Sequence, residues 1–269
     1  MEKIVIKNLT KEYIDNGRVF RALDNVSLAV QDGEFVSIIG SSGCGKSTLL
    51  SIVEGINTAT EGAVYIDGKK TEEAGLDRGV VFQQYSLFPW MTARKNVRLG
   101  IKQRFADMDK KEQYRIADEF LKKVGLASAK DKYPMQMSGG QRQRVAIARA
   151  LAMDTDILLM DEPFGAIDTK NRADLQQLLL DLWEGDKDGK RKTILFVTHD
   201  IDEAIILSDR IIMMQPDPGH IYREVTVPFV RPRSREKLVG SKEYNRFRNE
   251  LVSLFYARIS ENLSDDSEL

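Results

Sequence analysis

Gly40-Ser41-Ser42-Gly43-Cys44-Gly45-Lys46-Ser47 is the stretch on which the fold turns. It matches G-x-x-x-x-G-K-[ST], and its flanks agree. The apolar run Phe35-Val36-Ser37-Ile38-Ile39 reads as a buried strand, and Thr48-Leu49-Leu50-Ser51-Ile52-Val53 as a helix. Glycines let the backbone curl until successive N–H groups point at phosphate oxygens, and a helix N-terminus adds roughly half a positive charge. Lys46 has the reach for the outer phosphates of a nucleoside triphosphate, and Ser47 suits a Mg²⁺ ion. A glycine-rich surface turn would need neither the strand before it nor the helix after it.

The chain has 269 residues, 42% of them hydrophobic, which is room for one large α/β domain with an appendage or two small domains. No run approaches the roughly 18 apolar residues of a membrane span. Met1-Glu2-Lys3-Ile4-Val5-Ile6 is unlike a signal peptide, and the single cysteine suits a reducing cytosol. A formal net charge of −1 gives no global pull towards nucleic acid or anionic lipid. No nucleic-acid partner is therefore expected, and membrane association is expected to run through a protein.

Residues 3–8, 26–30 and 63–66 read as antiparallel strands. Phe35–Ile39, Val80–Phe82, Ile157–Met160 and Ile194–Val197 lack alternation, as parallel strands covered on both faces do; Ile211–Met214 is a further candidate. Helical stripes follow at Ile116, Ala117, Phe120, Leu121 and Val124, ending at Gly125, and at Leu175, Leu178, Leu179, Leu182 and Trp183, closing at Gly185. Phe247, Leu251, Leu254, Phe255 and Ile259 mark a third helix, and 264–269 are expected to be disordered.

Two further constellations carry chemistry. Ile157-Leu158-Leu159-Met160-Asp161-Glu162 is a strand ending in two acids: Asp161 suits the metal, and Glu162 suits a general base that polarises an attacking water. Ser138-Gly139-Gly140-Gln141 has the spacing of a capping box, with two glycines that bare the N–H groups of a new helix. It would be a second anion-binding helix start. Arg142, Arg144 and Arg149 on that helix read as a solvated face or internal ion pairs. His199 ends the run Ile194–Val197-Thr198 at the sheet edge where ligands bind in open α/β sheets, so a neutral imidazole there suits the terminal phosphate.

Together these motifs resemble the nucleotide-binding subunit of an ABC transporter, in that family's order, from residue 3 to about 214. Met137 stands before Ser138 where the family usually has Leu, a swap of similar bulk. The resemblance implies the fold class: α/β, a P-loop NTPase (RecA-like) mixed sheet core with an N-terminal antiparallel β subdomain and an inserted α-helical subdomain over about 85–155. It divides the chain into an ATPase domain at 3–215 and a short C-terminal extension with a helix at 216–263. It also implies that Gln83 contacts Mg²⁺ and the lytic water, with Gln84 adjacent to it. Gly165-Ala166-Ile167-Asp168 resembles the D-loop and His199 the switch histidine. Tyr13 stands where the family stacks an aromatic ring on adenine, with Phe20 a second candidate. ATP and Mg²⁺ are the expected ligands. The nucleotide-binding set is then Tyr13, Gly40, Ser41, Ser42, Gly43, Cys44, Gly45, Lys46, Ser47, Thr48, Ser138, Gly139, Gly140, Gln141 and Asp168. The metal set is Ser47, Gln83 and Asp161, and the catalytic set is Glu162, His199 and Gln83.

The family's behaviour implies a head-to-tail homodimer at the cytoplasmic face of the membrane, with ATP held between Gly40–Ser47 of one protomer and Ser138–Gln141 of the other. Integral membrane permease subunits are implied, and an extracytoplasmic solute-binding protein indirectly. Tyr85-Ser86-Leu87-Phe88-Pro89-Trp90-Met91 resembles the region where importer ATPases receive a coupling helix. The segment from Gln215 to Arg233 resembles the short tail of the nitrate, sulfonate and taurine importer ATPases. A non-transport ABC ATPase acting as an assembly or regulatory factor, or an export or lipoprotein-release ATPase, are the alternative readings.

Overall fold

The computed structural model describes residues 1–15, 17–184, 191–233 and 235–265, with side chains to 256. Gly185 and the last four positions of the expected tail therefore lie outside the described residues.

The chain opens on two long antiparallel strands, β1 (Glu2–Asp15) and β2 (Arg18–Gln31). Both outrun the segments expected from alternation. Register shifts between Ile6 and Leu9 and again to Lys11, with Asn8 at φ +48°, break the period of two midway, so the far half carries no clean pattern. Next come β3 (Phe35–Gly40), α1 (Lys46–Glu54), β4 (Glu61–Ile66), β5 (Lys69–Thr71) and β6 (Arg78–Val81). A buried arginine opens β6, two residues earlier than its apolar run begins; its Nη1 donates to Val53 O at 2.8 Å.

The helical lobe contains α2 (Ala93–Arg104), α3 (Lys110–Lys123) and α4 (Gly139–Ala152). The core then resumes with β7 (Ile157–Asp161), α5 (Thr169–Trp183), β8 (Thr193–Val197), α6 (Ile201–Leu207) and β9 (Arg210–Gln215). β10 (His220–Thr226), α7 (Arg235–Val239) and α8 (Lys242–Asp265) complete it. The last helix thus takes in Ser264 and Asp265, where disorder was expected.

Strands β2-β1-β4-β5 form an antiparallel sheet, and β10-β9-β3-β8-β7-β6 a second sheet that is parallel except for the β10 edge. β3 shows why its sequence lacks alternation. Phe35 and Ile39 enter one apolar core, with Val97, Leu121, Val145 and Trp183; Val36 and Ile38 enter another, with Ile4, Leu23, Leu49 and Ile66. Both faces are covered, so every position is apolar or, like Ser37, buried and bonded to another hydroxyl, that of Ser208. Trp183 is fully buried, flanked by the guanidinium groups of Arg191 and Arg231 at 4.7 and 4.1 Å from the ring centre.

Register brings the chemistry together. Val197 on β8 pairs with Ile38 on one side and Asp161 on the other, while Met160 pairs with Val81. The ends of β3, β6, β7 and β8 therefore deliver Gly40, Gln83, Glu162 and His199 to one sheet edge.

Candidate functional site: a nucleotide cleft at the sheet edge

A cleft of about 620 Å³ is lined by Tyr13, Phe20, Ala22, Gly40, Ser42, Gly43, Gly45, Lys46, Ser47, Thr48, Gln83, Glu162 and His199. Two glycines are obligatory there. A Cβ on Gly40 would meet Met214 O at 2.5 Å, and Gly45, at φ +90°, would drive one to 2.5 Å from a Leu23 methyl. Gly45 caps α1 without a side chain, which leaves the first-turn N–H groups facing the cleft. Lys46 donates to Gly40 O and Ser41 O, both at 2.8 Å, so its ammonium is folded along the loop it serves. Ser41 and Cys44 belong to the loop but do not line the cleft. Cys44 is fully buried, and burial pushes its thiol up from the ordinary cysteine range.

Asp161 and Glu162 divide their surroundings. Burial pushes the Asp161 carboxyl up, opposed by a hydrogen bond with Ser47 and the charge of Lys46. Its Oδ1 is buried without a hydrogen-bond partner. An orphaned carboxylate oxygen beside a serine hydroxyl fits a hard divalent cation such as Mg²⁺, which takes oxygen ligands. Glu162 turns away from the strand at φ +44°, a conformation uncommon for a side-chain-bearing residue, and its N–H donates to Val197 O at 2.9 Å. Its Oε2 lies 3.3 Å from His199 Nδ1 and 3.5 Å from Gln83 Nε2. Gln83, not the neighbouring Gln84, is the residue in the cleft.

The second cradle has the expected local form. Gln141 N donates to Ser138 Oγ at 3.3 Å, and Ser138 N to Gln141 Oε1 at 3.1 Å, the reciprocal capping box. Gly139 and Gly140 are pressed from outside: a Cβ would meet Tyr85 OH at 2.9 Å and Ala166 O at 3.1 Å respectively. Yet none of Ser138, Gly139, Gly140 and Gln141 lines the cleft of their own chain. Met137 is buried in the core, consistent with a Leu-like role. Asp168, expected near nucleotide, caps α5; it accepts from Asn171 N at 3.1 Å and Nδ2 at 2.6 Å, and these bonds hold its carboxyl below the usual range.

The arginines of α4 are half-buried, and among the described residues they bond to carbonyls and an amide or stack on a ring, with Arg144 also near enough to Asp168 for its charge to be felt. Arg144 donates to Val124 O and Asn171 Oδ1, Arg149 to Ser86 O, and Arg142 stacks on Tyr85. Ala22, beside the P-loop in space, is a cleft residue that sequence reasoning missed, because nothing in its neighbourhood signals the contact. Tyr13 and Phe20 are opposite one another in the β1–β2 register, and both rings reach the cleft.

A glycine cradle, a lysine and an acid with one unpaired oxygen around one helix start define a P-loop nucleoside-triphosphatase. Residues 23–165 match the ABC transporter family. The chain is 45% identical, over 97% of its length and 94% of the relative's, to an uncharacterized ABC transporter ATP-binding protein of Methanocaldococcus jannaschii. It is 47% identical to the nitrate import ATP-binding protein NrtD of Synechococcus elongatus, over 89% of this chain and 86% of that one. Identity to the bicarbonate transport ATP-binding protein CmpD of Synechocystis is 43%, covering 96% and 90%. An ATP-binding cassette solved as a dimer in a post-hydrolysis state with ADP and Pi superposes with a TM-score of 0.77 at 41% identity, covering 84% of this chain and all of that one. The chain belongs to the ABC transporter ATP-binding family, as an ATPase whose hydrolysis is coupled to transport.

Proposed function

We propose that this protein is the ATP-hydrolysing subunit of an importer, driving uptake of a small anion or organic solute of the nitrate, sulfonate or taurine class through separate membrane subunits. The relatives named for nitrate import and bicarbonate transport support the anion end of that range. Among the described residues no helix is long and apolar enough to cross a membrane, which agrees with a peripheral subunit held at the cytoplasmic face by permease partners. A solute-binding protein on the other side would then act on the ATPase only indirectly.

The observation that carries the hydrolytic reading is the convergence of His199 and Gln83 on one oxygen of Glu162. Glu162 takes a proton from water, and Gln83 and His199 hold that carboxylate and the water in line with the terminal phosphate. The N–H groups at the start of α1, with Lys46, hold the phosphate chain. Ser47, Asp161 and Gln83 would hold Mg²⁺, which would supply charge neutralisation for the phosphates.

Ser138–Gln141 does not line the cleft of its own chain, which supports a head-to-tail dimer in which each protomer closes its partner's site. Two helix starts then share one polyanion, and hydrolysis weakens the adhesion. A groove of about 520 Å³ between Tyr85–Leu87, Pro89 and the Pro134–Met135 turn, with Trp90 exposed nearby, suits the coupling helix of a permease. Leu87 is half-buried and packs against the core as well as lining the groove, so the exposed aromatics Phe88 and Trp90 are the leading candidates for contact.

The test is purification of the tagged full chain from its own membranes in mild detergent. Integral subunits are expected to copurify, and ATPase rate is expected to rise when they are reconstituted with solute and its receptor. Recovery with soluble proteins alone would overturn the importer reading in favour of an assembly factor.

A further inference from the structure

Among the described residues, the extension after β9 makes a set of polar contacts to α6, the seven-residue helix that begins directly after His199 and Asp200, and to α5, which is tied to α6 through Gln176 and Glu203. At the far end of α6, Arg233 Nη1 donates to the carbonyls of Ile205, Ile206 and Ser208 at 2.9, 3.2 and 2.5 Å, and Arg231 Nη2 to that of Leu207 at 2.6 Å. At the near end, Tyr244 OH and Arg248 Nε both donate to Asp202 Oδ1, at 2.5 and 2.8 Å. Both ends of one short helix are therefore held by the extension.

A second thread reaches the switch strand itself. Arg235 Nη1 donates to Gln176 Oε1 at 2.8 Å, and Gln176 Nε2 donates to Glu203 Oε1 at 3.1 Å. The other oxygen of Glu203 accepts from Thr198 Oγ1 at 2.7 Å, and Thr198 in turn accepts from Asp200 N at 3.0 Å. Gln176, Thr198 and Glu203 are nearly inaccessible, at 3, 2 and 5% exposure. The direction is set at the outer end: a guanidinium can only donate, so Gln176 Oε1 faces Arg235 and its amide nitrogen is left to face Glu203. Burial pushes the Glu203 carboxyl up, against the hydrogen bonds from Thr198 and Gln176. His199 lies between the two residues tied by that thread.

We infer that Arg235, Gln176 and Glu203 are positioning residues for ATP hydrolysis: they couple the C-terminal extension to His199 and set its distance from Glu162. The inference rests on the reading of His199 and Glu162 as the hydrolytic pair. It assigns the extension a part in turnover while leaving nucleotide binding to the P-loop, which the thread does not touch.

The experiment is steady-state ATPase kinetics on the purified full chain carrying Arg235→Ala, Arg235→Lys, Gln176→Leu and His199→Ala, alone and combined. Arg235→Ala and Gln176→Leu are each expected to lower kcat by about three- to tenfold with KM for ATP unchanged, the size of coupling usual within one hydrogen-bonded network. Arg235→Lys, which keeps a donor, recovers part of the loss. In a His199→Ala background, Arg235→Ala adds nothing further, because the residue through which it acts is gone. Independent, multiplying losses in the double variant, or a matched fall in nucleotide affinity, would overturn the inference. Full turnover by His199→Ala would overturn the reading beneath it instead. If Gln176→Leu does not fold, the exposed Arg235 variants carry the test alone.

Discussion

Glu54, on the last turn of α1, is buried within reach of the charge of Asp161 at the end of β7. Burial first, and that like charge second, push its carboxyl up from 4.5 to about 7. In the folded chain Glu54 thus holds a proton that the unfolded chain gives up nearer its ordinary value. Stability associated with the protonated form is complete below the unfolded value and is lost as pH rises towards 7. The loss is at most roughly 3 kcal/mol. Glu54→Gln is expected to be more stable than the parent at pH 8 and equal to it at pH 4.5, read from urea midpoints. A parallel pH profile for both proteins would refute this.

Removing the base should separate binding from chemistry. Glu162→Gln keeps the size and hydrogen-bonding reach of the side chain but cannot accept a proton. Hydrolysis should fall by about 10²- to 10⁴-fold, the usual worth of a general base, while the dissociation constant for ATP stays within about twofold. Single-turnover hydrolysis and equilibrium binding on the same sample decide it.

Lys46 makes its hydrogen bonds to loop carbonyls, so its loss should cost affinity above all. Lys46→Ala is expected to weaken ATP about ten- to hundredfold, as expected for one charged hydrogen-bonding partner. Cys44 offers a control on the same loop. Fully buried and with its thiol pushed up, it should resist a maleimide in the native protein and react promptly in denaturant. Fast native labelling would mean that the loop is packed differently.

The paired rings at Tyr13 and Phe20 should contribute to affinity only when a base is present. Tyr13→Ala is expected to weaken ATP by about five- to hundredfold, the range of aromatic–base stacking, and to leave tripolyphosphate binding unchanged. Phe20, more exposed at 58% against 38%, should cost less. Equal losses for both ligands would remove the rings from base recognition.

The cleft was legible because its parts are contiguous. Gly40–Ser47 states its own strand, turn and helix, and Asp161-Glu162 closes an unbroken apolar strand. The pleat put both acids and His199 at one edge, as sheet topology alone requires. What escaped reading depends on distant partners. Arg233 and Arg235 look like any charged tail residues, and only the fold supplies carbonyls 25 to 28 residues away and an amide 59 away. The helix α6, at seven residues, is too short to show a period, and β1 hides its length behind bulges. Asp168 was placed with the nucleotide by resemblance; its own side chain is occupied as a helix cap.

The indole of Trp183 is sealed between two guanidinium groups, and one of them, Arg231, is anchored to Asp209 and Leu207 at the root of the C-terminal extension. The sequence has only one other tryptophan, Trp90, which stands 69% in solvent and should therefore emit at longer wavelength. The protein thus contains its own optical gauge. Lifting the extension would strip a cation from the buried fluorophore, so the blue edge of the emission would change before any loss of helix is seen.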